Sequence, residues 1–166
     1  MLYVVSSGLV GLLGCTEPPQ TDGPIDSSQA GIEAFLEDEG YRESPWIAQT
    51  EAPRESTWEV SPHGRVHLWL NETVIASQAA GNGGFLGTPH TTGSMAVKEL
   101  VDESDVPVGR AVMLKLEGVA ASWVYYCDGT EERCGFSDGE PPHYAVAYDS
   151  ECYYCHGGEI FNARPE

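Results

Sequence analysis

Five residues near the end of the chain, Cys152-Tyr153-Tyr154-Cys155-His156, restrict what the rest of it can build. Two thiols three positions apart can add across the two vinyl groups of a haem, and the histidine beside the second thiol is placed to ligate the iron from one face. This is the attachment signature of a c-type haem. Asp149 or Ser150 can cap a short helix through the motif and Gly157-Gly158 can end it, which sets the ligand on a rigid element. A redox CxxC or half of a zinc site uses the same cysteine spacing. The first needs a thioredoxin-like context and the second a further ligand pair, and the sequence offers neither.

The opposite end of the chain reads as an export signal. Residues 2–13 are apolar or small, too short to span a bilayer as a helix, and lead into Leu12-Leu13-Gly14-Cys15. The pattern resembles a bacterial lipoprotein signal, in which Cys15 becomes the lipidated first residue of the mature protein, held at the cell envelope by acyl chains. No lysine or arginine precedes Cys15, so a basic segment would have to lie upstream; plain secretion is the alternative. Residues 16–29 are polar and broken by Pro18, Pro19, Gly23 and Pro24, as suits a flexible tether. Residues 30–166 are then read as one domain.

Export makes the cysteine arithmetic close. Of the five cysteines, Cys15 takes lipid and Cys152 and Cys155 take haem, which leaves Cys127 and Cys134. Seven positions apart in an oxidising compartment, they read as a structural disulfide across a hairpin loop. Charge narrows the partners further. Eight basic side chains against 26 acidic ones give a formal charge of −18, a field that repels phosphate backbones and anionic headgroups and so excludes nucleic acid. The same field would attract a basic redox protein, although a soluble, self-repelling surface accounts for it without any partner.

Periodicity in the middle of the chain predicts a sheet. Ser27 or Ser28 can cap a helix that ends near Gly40, with Ile32, Phe35 and Leu36 on one face. An irregular stretch punctuated by prolines holds Trp46 and Trp58, read as core anchors or haem wall. Alternation predicts strands over 65–70, 94–101, 111–116, 122–127 and 144–148, with a short helix after Asn71 and a turn over 102–109. The glycine-rich run over 81–93 contains His90 and lacks the lysine of a phosphate-binding loop. The expected class is α+β, a mainly antiparallel β-sheet with flanking helices that cradles one c-type haem.

The order of these segments resembles the cytochrome P-460 family, over roughly residues 65–156. The resemblance rests on Gly93-Ser94-Met95-Ala96-Val97-Lys98-Glu99-Leu100, then Gly109 to Leu116, then Ser122-Trp123-Val124-Tyr125-Tyr126, then Cys152 to His156. It implies a homodimer whose antiparallel sheet holds haem c, with His156 as the one protein ligand to the iron and an open distal position. It further implies oxidation of hydroxylamine, with Lys98 at the position of the lysine that bonds a meso carbon of the porphyrin. A sister group, the beta-type cytochromes c-prime, has the fold without that bond and binds gases such as nitric oxide. Lys98 is one of only two lysines, the other being Lys115, on a chain whose surface is acidic, which sets it apart from an ordinary solvated strand lysine. Asp149, Glu151 and His143 precede the motif and are candidates for a base at the distal face; each also reads as a cap, a surface acid or a loop histidine. His63, His67 and His90 have no spacing that marks a metal site, and a distal histidine among them would make the iron a closed, electron-relaying centre. The aromatics Phe85, Trp123, Tyr125, Tyr126, Tyr148, Tyr153 and Tyr154 suffice to line a haem pocket, and core packing explains them equally well.

Overall fold

Alternating apolar residues become a sheet when one set of side chains finds a helix to bury it, and that is the arrangement in this chain. The computed structural model describes residues 25–55, 61–83, 88–116, 122–135 and 141–146, together with Cys152 and His156. In chain order the elements are α1 (Gln29–Asp38), β1 (Ile47–Ala48), β2 (Arg54–Glu55), β3 (Arg65–Leu70), α2 (Glu72–Ala79), β4 (Met95–Val101), β5 (Pro107–Lys115), β6 (Trp123–Cys127), α3 (Glu131–Cys134) and β7 (His143–Val146). The fold is α+β. Strands β3 to β7 lie side by side in chain order, every pair antiparallel, and β1 and β2 pair opposite ends of the outer edge of β3.

The first face of the sheet carries the main core. Met95 and Val97 of β4, Val112 and Leu114 of β5, and Val124 and Tyr126 of β6 pack against Ile32 and Leu36 of α1 and against Tyr41. Helix α1 forms where expected because Ser28 caps it, its side chain accepting from the Gly31 amide at 3.1 Å. The second face is covered piecemeal. Val74 of α2 packs on Leu68, Leu70 and Ala96, while Cys134 of α3 packs on Val66, Leu100 and Cys127.

Three expectations need correction. Strand β5 begins at Pro107, inside the stretch read as a turn over 102–109; a proline without an amide hydrogen is tolerated as the first residue of a strand. The Cys127–Cys134 disulfide forms, with Cα atoms 5.8 Å apart, but it spans no hairpin. It ties the last residue of β6 to the last residue of the one-turn helix α3, which Thr130 caps. Strands β1 and β2 fall in a segment read as irregular, two residues being too few to display a period.

Candidate haem site

The pairing register lays out the second face as a lattice. Leu68, Lys98, Ala111, Cys127 and His143 form one row across β3 to β7, and Leu70, Ala96, Met113, Tyr125 and Ala145 form the next. Met113, Trp123 and Tyr125 make a buried patch on this face, and Cys152 packs against it. Cys152 and His156 both have helical backbone. The His156 ring lies 6.2 Å from the centre of the Tyr125 ring, which places it over the same patch.

A second imidazole meets it there. The centre of the His63 ring is 6.3 Å from that of His156, with 35° between the planes. His63 is only 9% exposed, and its Nδ1 lies 2.9 Å from the backbone oxygen of Arg133. Arg133 answers with its side chain, Nη1 donating to the His63 carbonyl at 2.7 Å and Nη2 to that of Val101. Glycine closes the clamp: Gly64 has φ +60°, and a Cβ there would lie 2.2 Å from Arg133 Nη1. At Gly135, with φ +76°, a Cβ would lie 2.6 Å from Pro62 Cγ. The loop 62–64 is thus pinned to α3, and the disulfide pins α3 to β6.

Burial drives the His63 pKa down to about 3, with the Lys98 charge next in importance; the Arg133 carbonyl opposes the shift and His156 adds to it. At neutral pH the ring is uncharged. A carbonyl oxygen can only accept, so Nδ1 carries the proton and Nε2 presents a lone pair. Register puts Lys98 on the same sheet face as Ala111 and Cys127, the face of the patch against which Cys152 packs.

His143 is on this same face, paired with Cys127 and one row from Tyr125, but three strands from Lys98, about 14 Å at ordinary strand spacing. The other histidines separate from this group. His67 is on the other face, its Nε2 2.9 Å from the Thr50 carbonyl and its Nδ1 3.8 Å from Glu99. His90 is a core imidazole, 1% exposed, 3.1 Å from the Ser77 hydroxyl and edge-on to Trp123. Cys15, Asp149, Glu151 and Cys155 lie outside the described residues, as do Trp58, Phe85, Tyr148, Tyr153 and Tyr154. Two residues gain importance that the sequence did not give them. Lys115 is more deeply buried than Lys98, with its Nζ 4.8 Å from the centre of the Trp123 ring, so scarcity of lysine did not single out Lys98 alone. The sequence does not separate His63 from His67 and His90 as a distal candidate, because its partners are 70 and 93 positions away; its one local signal is the glycine that follows it.

Among the described residues no set of three His, Cys, Asp or Glu side chains could hold a metal ion by itself. A haem brings its own four nitrogens and asks the protein for thiols, an axial imidazole and an apolar wall. Cys152 offers one thiol, His156 an imidazole and the Met113, Trp123 and Tyr125 patch an apolar wall, while Cys155 lies outside the described residues. No protein-family model, curated protein or solved structure matches the chain, and no helix among the described residues is long and apolar enough to cross a membrane.

Proposed function

We propose that the protein is an exported mono-haem c-type cytochrome resembling cytochrome P-460, which oxidises hydroxylamine or a related small nitrogen compound. The observation that carries this reading is that Cys152 and His156 lie against the sheet face that also carries Lys98, with Met113, Trp123 and Tyr125 as an apolar floor. Cys152 and Cys155 anchor the haem edge and His156 supplies the axial nitrogen. When bound, the haem supplies an iron that can accept electrons from a small nitrogen compound. Lys98 is the candidate for a bond to the porphyrin edge. The apolar floor keeps water from the cofactor.

The setting follows from the same reading. Cys15 anchors the domain to an envelope membrane, residues 16–29 give it reach, a basic redox protein takes the electrons, and the domain works as a homodimer. A second reading, a non-catalytic protein that binds nitric oxide or relays electrons, is favoured by the nearness of His63 to His156. The test is to express the chain with a cytochrome c maturation system and record the ferrous spectrum, the intact mass, a peptide map and hydroxylamine turnover. A strongly red-shifted Soret band, a peptide joining Lys98 to the haem peptide, and turnover are expected. An ordinary c-type spectrum with unmodified Lys98 and no turnover selects the second reading, and protein without covalent haem refutes both.

A further inference from the structure

Two imidazoles that bind one metal ion from opposite sides, at bonds of about 2.0–2.1 Å, hold their ring centres roughly 6 Å apart. The rings of His63 and His156 are 6.3 Å apart, with planes 35° from parallel, and trans imidazoles are free to differ in rotation about their shared axis. From this we infer that His63, through Nε2, is the second axial ligand of the resting haem iron, opposite His156. The inference rests on the haem reading above and departs from the open distal position that the family resemblance implies.

Three further features suit His63 to that role. Its tautomer is set, because Nδ1 donates to the Arg133 carbonyl and leaves Nε2 as the electron-pair donor; an outer hydrogen bond of this kind orients a metal-binding histidine and raises its basicity. Its backbone is held as well, since Arg133 binds the His63 carbonyl and Gly64 and Gly135 allow the loop to sit tight against α3. Its surroundings are dry enough that a ligand exchange has to compete with burial, at 9% exposure. With His63 in that role, the loop 62–64 and α3, which hold it, would control how readily a small ligand takes its place. Because α3 is stapled to β6 by Cys127–Cys134, that control depends on the disulfide.

The experiment compares ferric wild-type protein with His63→Ala and His63→Met by electron paramagnetic resonance and absorption, with haem content fixed by intact mass. Wild type is expected to be low-spin, His63→Ala high-spin, and His63→Met low-spin with altered g-values because a thioether replaces the imidazole. Cyanide, used as the probe, should bind His63→Ala at least tenfold faster than wild type, and the Cys127→Ala/Cys134→Ala protein should fall between them. Haem-loaded wild type that is high-spin, or spectra unchanged by both His63 substitutions, overturns the inference and leaves the haem reading standing. Should His63→Ala not fold, an unaltered spectrum in His63→Met alone is enough to overturn it. Protein that carries no haem overturns both.

Discussion

Lys98 and Glu99 are neighbours in β4, and the pleat sends them to opposite faces of the sheet. Lys98 is on the face against which Cys152 packs. Glu99 enters the main core, 4% exposed, where its carboxylate accepts from the Tyr41 hydroxyl at 2.8 Å, Arg42 Nε at 2.6 Å and Trp69 Nε1 at 3.1 Å. The carboxylate is tolerated there because both of its oxygens have donors. Glu99→Ala would leave those donors buried without a partner. The expected loss is about 3 kcal/mol in urea unfolding, the lower end for a broken buried pair because Arg42 keeps 34% of its side-chain surface in water. A loss under about 1 kcal/mol would mean that Tyr41 and Trp69 find other acceptors. Alternation alone was enough to assign the two faces. It could not reveal that Glu99 is buried rather than solvated, since Tyr41 and Arg42 are 58 and 57 positions away.

At the scale of elements, Asn71 joins α2 to the start of β4. Its Oδ1 caps the helix through the Val74 amide at 3.0 Å and also accepts from the Met95 amide at 3.0 Å, while Nδ2 donates to the Gly93 carbonyl at 2.8 Å. An ordinary cap is worth about 1 kcal/mol. Asn71→Ala is expected to cost about 2 kcal/mol by thermal or urea unfolding, because it also strips partners from two groups at the head of β4. Asn71→Asp keeps the acceptor and should recover the larger part. The capping role was legible in the sequence; the tie to β4 was not, because it depends on the loop after α2 returning to the same residue. The opposite error occurred after β6. Two cysteines seven apart predict a disulfide, yet nothing local distinguishes a hairpin from a strand followed by one helical turn, and the turn is what presents Arg133 to His63.

On the scale of the whole molecule, the formal charge of −18 and the buried phenols act in the same direction at high pH. Burial, then the Asp128 charge, pushes the Tyr126 pKa up to about 12; burial, then the Glu99 hydrogen bond, raises that of Tyr41 as well. An unfolded tyrosine ionises near pH 10, so above about 10 the unfolded chain holds fewer protons than the native one. The stability these phenols supply is complete below about pH 10 and is lost as pH climbs to about 12. Denaturation midpoints measured across that range should fall, and midpoints that stay constant from about pH 10 to 12 would contradict the burial of both rings. Other properties of the chain are decided locally, and these the sequence determined by itself: the alternation that makes a strand, the serine and asparagine that start helices, the cysteine spacing and histidine of the motif, and the sign of the surface charge. Each depends on residues within a turn or two of one another or on a simple sum. Only the tertiary structure decided what meets on the second sheet face, because His63, Lys98, Arg133 and His156 come from four separate segments. Their approach is set by strand register, by the Cys127–Cys134 link and by glycines that allow close contact, and no local pattern encodes that distance.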